Sequence, residues 1–511
     1  MTTRILIRSG RPPHRPVPLE AAHAYRGVGT FATNSGNLLF QDAIYRTLRT
    51  PDTELVVDSL STERPGMDAR HIERINDEFD VLVLSLANAF REDFLTPLGR
   101  LTDVVEKLRI RVVVTCVGAQ LGLDGDPRTA GEAIDEATTR FVRAVLERSE
   151  SLAVRGELTR GYLEHLGFPG ERLDVVGCPS LHLFEEGTTV TRPGTTLPPE
   201  ARIALNLTPS VPFSDALLSA NYDRYPNLTY VPQDNETLGL MLWGEEFDAP
   251  PGMPGTLSQP AYRDDRMRFF VEPRPWLDYL STRDFACGTR IHGNVAGLLA
   301  GIPAFQFAHD SRTLELAEFH RMPYLSTPTG PGRVDPELVD LAALYERTDL
   351  AAFNAAREPN RALWTAFLDR NGLPHLDRPD ADYERELDGL AYPAAGRPLT
   401  SATPEELAGR LRWLHQGIKP GDVLRTRGAY EPDFVPDKAR QQDALDRFRA
   451  VEARVSEQGR LIRDQTRALR DLTKQVEAQR KVLDRLTAPK PPFSQRVARK
   501  LRSVFAPAAG A

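Results

Sequence analysis

A regular alternation of short apolar runs with amphipathic segments of helical length constrains this 511-residue chain more than any other feature. The first six runs, at 4–7, 54–58, 80–86, 111–117, 152–155 and 173–176, are rich in Val, Leu and Ile. Several are continuously apolar, the pattern of strands covered on both faces in a parallel sheet. Helix candidates lie between them at 36–48, 92–108, 130–148 and 157–166. Such a βαβ series predicts a doubly wound sheet. A Pro/Gly/Thr-rich stretch at 186–199 breaks the pattern and reads as a linker. The alternation restarts with runs at 203–207, 228–231, 268–272, 284–287 and 304–307, and helix candidates at 235–243, 275–280, 293–300 and 313–319. Two α/β halves with a cleft between them are expected, and such folds bind ligands in clefts at the carboxyl ends of their strands.

The expected organisation is an N-terminal Rossmann-like domain over 1–185, a linker at 186–200 and a C-terminal Rossmann-like domain over 201–373. An irregular, Pro-rich region at 374–436 follows, with a helical piece near 404–416. Over 437–488 a different period takes over. Phe448, Val455, Ile462, Leu469, Val476 and Leu483 recur every seven residues, and Val451, Gln458, Gln465, Leu472, Gln479 and Leu486 form a second seam. This predicts a coiled coil whose polar seam positions restrict its pairing, and hence a homo-oligomer. Pro489 stops it. The tail over 489–511 carries Lys490, Arg496, Arg499, Lys500 and Arg502 with no acidic residue, while Phe493, Val497, Leu501, Val504 and Phe505 share one helical face. Peripheral contact with an anionic membrane surface fits this pattern, and so does a solvated, frayed end.

Composition narrows the class. A hydrophobic content of 41% and a charged content of 26% are those of a soluble globular protein, and the length calls for more than one core. The net charge of −7 offers no overall attraction to nucleic acid. Cys116, Cys178 and Cys287 are odd in number and far apart, which is neither a disulfide framework nor a metal-ligand spacing; a reducing cytoplasm is expected, and Cys178 and Cys287 read as small core residues. No apolar stretch of signal-peptide length follows Arg4, and nothing approaches a membrane span. Only seven of the 64 basic Lys and Arg residues are lysine, a bias expected of a GC-rich bacterial genome.

The strongest local feature is Cys287-Gly288-Thr289-Arg290-Ile291-His292-Gly293. A strand ends, a Gly/Thr turn follows and a helix of small and apolar residues begins. Free N–H groups and the dipole at a helix start favour an anion there. Arg290 adds a planar fork suited to phosphate or carboxylate. His292 can donate a proton near neutral pH, and a nearby anion would keep it charged. The bland alternative is a buried histidine bonded to backbone, beside an arginine paired with a carboxylate. A second turn, Val154-Arg155-Gly156-Glu157, also follows a strand and opens a helix. Arg155 there either faces the cleft or pairs with Glu157 at the surface. In a third, Asn34-Ser35-Gly36-Asn37, Asn and Ser read as an N-cap first and a ligand loop second, with Gly36 allowing close approach. Val117-Gly118-Ala119-Gln120 closes another strand beside the cleft. His309 reads as structural rather than catalytic. Fingerprints for NAD, P-loop, serine-hydrolase and zinc chemistry are absent.

Together these turns resemble the polysaccharide pyruvyl transferase family over roughly residues 25–325. The resemblance rests on the ordered set Asn34-Ser35-Gly36-Asn37, Val117-Gly118-Ala119-Gln120, Val154-Arg155-Gly156-Glu157, Val176-Gly177-Cys178-Pro179, Thr289-Arg290-Ile291-His292-Gly293, Gly301-Ile302-Pro303 and Asp310-Ser311-Arg312. It implies a glycosyltransferase-B-like fold of two Rossmann-like domains. It also implies transfer of a pyruvyl group from phosphoenolpyruvate, as co-substrate with no further cofactor, to sugar hydroxyls as a ketal. Arg290 and His292 map onto the family's catalytic positions. Arg155, Asn34, Gly36, Asn37, Gly293 and Arg312 are expected around the donor. The chain departs from the family pattern at Asn37, where many members carry Asp, at Cys178, where Asp is commoner, and at Arg312, where Lys is frequent.

Three functions are compatible with this reading. In the leading one, Arg155 and Arg290 hold the donor's phosphate and carboxylate, and His292 either protonates the methylene carbon as a sugar or lipid-linked glycan hydroxyl adds to its neighbour or acts as an electrostatic clamp; work beside the inner membrane face fits the basic tail. A nucleotide-sugar glycosyltransferase would place a diphosphate in the same anion site. A non-catalytic scaffold would bind a glycan and assemble through its coil.

Overall fold

The computed structural model describes residues 2–24, 34–65, 67–185, 187–211, 213–327 and 336–418, together with Arg460, Arg467 and Lys474. Two compact units divide the chain, Met1–Arg440 and Gln441–Ala511. In the second, Arg460, Arg467 and Lys474 are helical. The remainder of the coiled coil expected at 437–488, and the basic tail at 489–511, lie outside the described residues.

The first unit is α/β with two parallel sheets, as the alternation requires. One sheet has the order β2-β1-β3-β4, built from β1 (Thr3–Arg8), β2 (Thr53–Val57), β3 (Val81–Ser85) and β4 (Arg111–Thr115). A parallel bridge from Val117 to Val154 continues it towards the pair β5 (Leu152–Val154) and β6 (Leu173–Val175). The second sheet has the order β11-β10-β9-β7-β8, from β7 (Ile203–Asn206), β8 (Thr229–Tyr230), β9 (Phe285–Gly288), β10 (Ala304–Ala308) and β11 (Tyr324–Ser326). Strands β3, β7, β9 and β10 are buried along their whole length, which is why they read as predominantly apolar runs. The strand order reverses at β1 in one sheet and at β7 in the other, and a crevice opens at the carboxyl ends of strands at such points.

Five helices position the site: α1 (Asn37–Leu48), α2 (Glu157–His165), α3 (Asn235–Trp243), α4 (Ile291–Leu299) and α5 (Ser311–Phe319). One apolar core runs through both halves, joining Phe40 and Ile44 of α1 to Ile291, Val295 and Ala296 of α4. After the second sheet, α6 (Ala351–Arg370) returns to the first half. Arg370 pairs with Asp174 at 2.9 Å, and the Asn371 side chain donates to Ser151 Oγ at 3.0 Å. Helix α7 (Ala381–Asp388) adds Glu384, which takes a hydrogen bond from Arg46 of α1 at 2.7 Å. The chain then crosses back, and Arg410 of α8 (Pro404–Ile418) donates to the Leu242 carbonyl at 3.3 Å.

Two expectations are corrected. Residues 268–272 form no strand: Phe269, Phe270, Val271 and Glu272 are buried, but Met267 and Phe269 are each held by a single bridge, to Tyr230 and to Gly396. A buried apolar run reports packing, not a ladder. Within the region expected to be irregular, α7 is a capped helix. Asp380 accepts from the Tyr383 N–H at 2.8 Å, and Tyr383 and Leu387, four residues apart, are its buried face. Among the described residues no helix is long and apolar enough to cross a membrane.

Candidate functional site

Strand ends from both sheets meet at a cavity of about 110 Å³, room for several waters or one small anion. Arg8 ends β1, Leu86–Arg91 follow β3, Arg155 follows β5, Thr208 follows β7, Thr289–His292 follow β9 and His309 follows β10; Asn34, Asn37 and Phe40 enter from the start of α1. Among the described residues, five arginines and two histidines line the cavity and no carboxylate does.

Three of those arginines are already committed. The Arg8 guanidinium donates to Glu63 and to the Ser85 carbonyl, each at 2.7 Å. Arg312 holds Asp310 at 2.7 Å. Burial alone would raise the Asp310 carboxyl, but Arg312, His309 and the Thr313 N–H outweigh it and bring it down to about 2. Arg290 pairs with Asp234, the residue before α3. The carboxylate partner considered for Arg290 in the sequence is therefore present, supplied from the loop after β8.

Arg155 differs. It is 0% exposed, and among the described residues Nε, Nη1 and Nη2 all lack a hydrogen-bond partner. The surface pairing with Glu157 does not occur; Glu157 lies beside Arg160 instead. Its nearest ring is Phe40, 5.8 Å from the guanidinium carbon. The surroundings hold it rigidly. Its N–H donates to the Val117 carbonyl at 3.0 Å. A Cβ at Gly118 would come within 3.1 Å of Arg155 Cδ, so the Val117–Gln120 turn braces Arg155 from behind and does not line the cavity. Glu315 of α5 crosses from the other half to take the Thr159 N–H at 2.9 Å and its hydroxyl at 2.8 Å, fixing the start of α2. Burial lifts the Glu315 carboxyl to about 7 against those bonds and the Arg155 charge. The same packing needs Gly156, where a Cβ would sit 2.5 Å from Glu315 Cβ.

His292 is buried on the first turn of α4, stacked on Phe40 with centroids 5.5 Å apart, and its Nε2 has no partner. Burial, and then the charges of Arg155, Arg312 and Arg290, hold the imidazole well below the usual histidine range. The charges around it are cationic, so a proton on His292 is disfavoured unless an anion lies beside it. A buried polar network fixes this turn. Asn294 donates to the Gly288 carbonyl at 3.0 Å and to Gln306 at 2.7 Å, and the Thr208 N–H donates to Thr289 at 2.7 Å. Gly288 has φ +148°, and a Cβ there would lie 2.0 Å from the Asn206 carbonyl oxygen, so only glycine fits.

The remaining expected residues fall as follows. Asn34 and Asn37 line the cavity, and Asn34 bridges to Asp234 across the halves. The expected side-chain N-cap is absent: Gly36 is the cap residue of α1 and no side chain caps it. Gly36 and Gly293 serve packing. A Cβ at Gly36 would meet His292 Cβ at 2.8 Å, and one at Gly293 would meet Asn206 Cγ at 2.2 Å. His309 lines the cavity with Nε2 3.6 Å from Asp310; burial first, then Arg312, lowers its imidazole. Arg8, Arg91, Asp234 and Glu315 went unread in the sequence. Arg8 and Arg91 were recoverable as basic residues just past strand ends; Asp234 and Glu315 act across the halves and carried no local signal.

Residues 34–311 match the family model described as polysaccharide pyruvyl transferase. No curated protein matches the sequence. Solved structures with distant likeness include the Anabaena protein Alr3699/HepE in complex with UDP-glucose, at 16% identity, TM-score 0.39, and 72% coverage of this chain against 98% of that one. They also include Staphylococcus aureus MnaA with UDP, at 11% identity, TM-score 0.37, 72% and 98%, and the Neisseria meningitidis UDP-GlcNAc 2-epimerase bound to UDP-GlcNAc, at 9% identity, TM-score 0.37, 72% and 100%.

Proposed function

This chain belongs to the polysaccharide pyruvyl transferase family and is a transferase of polysaccharide biosynthesis, and from that premise we propose that its cavity binds phosphoenolpyruvate, with Arg155 as the principal anion contact. The observation that supports this is the unpaired, fully buried Arg155 guanidinium. A lone buried charge costs several kcal/mol and persists where a ligand neutralises it. Phosphoenolpyruvate carries a phosphate and a carboxylate and fits a cavity lined by arginines without acids.

In this reading a sugar hydroxyl adds through oxygen to the carbon bearing the phosphate. Its proton is lost to solvent or a base, and His292 delivers a proton to the methylene carbon, which becomes the methyl group. A second hydroxyl of the same sugar then forms the second C–O bond as the C–O bond to phosphate breaks, and its proton leaves with inorganic phosphate. The acceptor is a sugar or lipid-linked glycan, and the basic tail and coil would serve membrane contact and self-association.

His292 gives the reading a thermodynamic signature. Without a bound anion, burial and the charges of Arg155, Arg312 and Arg290 hold its imidazole well below the usual histidine range. A bound donor adds negative charge and raises that value. Between the depressed value and the raised one, the complex holds a proton that the free protein lacks, so binding tightens as pH falls through that window. Calorimetry of phosphoenolpyruvate binding in two buffers of different ionisation enthalpy is expected to show more proton uptake in the wild type than in His292→Gln; the donor's own titration is common to both. Equal uptake, or no binding by the wild type, would sink the proposal.

A further inference from the structure

The cavity contains a second uncommitted cation. Of its five arginines, Arg8, Arg290 and Arg312 each hold a carboxylate. Among the described residues Arg91 makes no ion pair, and its Nε is buried without a hydrogen-bond partner. Its place is defined. Phe90 donates to the Gly118 carbonyl at 3.4 Å and takes the Gln120 N–H at 3.1 Å, so the Arg91 loop is tied to the turn that braces Arg155. The two side chains thus reach the same cavity from adjacent strand-end loops.

We propose that Arg91 is a second donor-binding residue, holding the anionic group that Arg155 leaves over. This rests on the reading of the cavity as a phosphoenolpyruvate site. A ligand with one anionic group neutralises one guanidinium and leaves the other facing Arg312. A ligand with two satisfies both, and the number of uncommitted guanidiniums matches the number of charged groups on the donor. The crowding is visible in Arg91 itself, whose guanidinium is pushed down by burial and then by Arg312.

The test truncates residue and ligand together. Binding of phosphoenolpyruvate, inorganic phosphate and pyruvate is measured for the wild type and Arg91→Gln. The variant is expected to bind phosphoenolpyruvate at least about tenfold more weakly, the weight of one charge-assisted contact. One fragment should weaken with it, and the other should keep its wild-type affinity, which also reports an intact cavity. Arg91→Lys should recover part of the loss. If phosphoenolpyruvate binding is unchanged in Arg91→Gln, or both fragments weaken alike, the role of Arg91 is overturned while the donor reading stands. If the wild type binds no phosphoenolpyruvate, both fall. A variant with normal donor affinity and a raised KM for the glycan would make Arg91 an acceptor contact and overturn the proposal.

Discussion

Arg155→Met is expected to cost the enzyme at least about 100-fold in kcat/KM while making the ligand-free protein more stable. The two effects share one cause. The guanidinium is fully buried and, among the described residues, none of its nitrogens makes a hydrogen bond, so the charge of nearby Glu315 offsets its desolvation only in part. Methionine has an unbranched stem of similar length and no charge, and replacing buried ionic groups with apolar ones often stabilises by about 1–4 kcal/mol. The melting temperature of the empty variant should therefore rise by a few degrees. With phosphoenolpyruvate present the order should narrow or reverse, because only the wild type gains from the donor. A purely structural arginine would behave oppositely: its loss would lower the melting temperature and leave the donor-induced shift in place.

His292→Gln is the second large effect. Glutamine keeps a polar side chain of comparable length against Phe40 but cannot deliver a proton as an imidazolium does. Loss of general acid catalysis is expected to lower kcat by about 10²–10⁴-fold. Donor affinity should change far less, since Arg155 carries most of the anion contact. Single-turnover measurements separate the two steps. If donor affinity collapsed while the bound complex turned over at the parental rate, His292 would be a binding residue only.

Much of the fold was legible in the sequence because buried parallel strands advertise themselves: 81–85 and 304–308 are unbroken runs of small and apolar residues with one polar member each. The failures have physical reasons. Residues 268–272 are buried almost throughout, yet among the described residues only isolated bridges from Met267 and Phe269 hold them and no ladder forms. Helix α7 was hidden in Pro-rich surroundings, although Asp380 with Tyr383 and Leu387 carried its cap and its face. At the site, the motif turns lie at strand ends that meet around one cavity, but sequence order cannot show which charges are already spent. Arg290 looked as free as Arg155 until Asp234 was found beside it. Arg91 sits just before the helix candidate at 92–108 but belongs to none of the motif turns, and what distinguishes it is that, among the described residues, it makes no ion pair in the folded cavity. Gly36 and Gly293 looked like places for ligand approach and are places where His292 and Asn206 pack closely.

The most direct measurement is a donor screen by mass spectrometry, with phosphoenolpyruvate and several nucleotide sugars offered alongside a glycan bearing a free diol. A ketal product formed from phosphoenolpyruvate alone, with inorganic phosphate released in equal amount, is the expected result. Transfer of a sugar from a nucleotide donor, with no adduct from phosphoenolpyruvate, would contradict it.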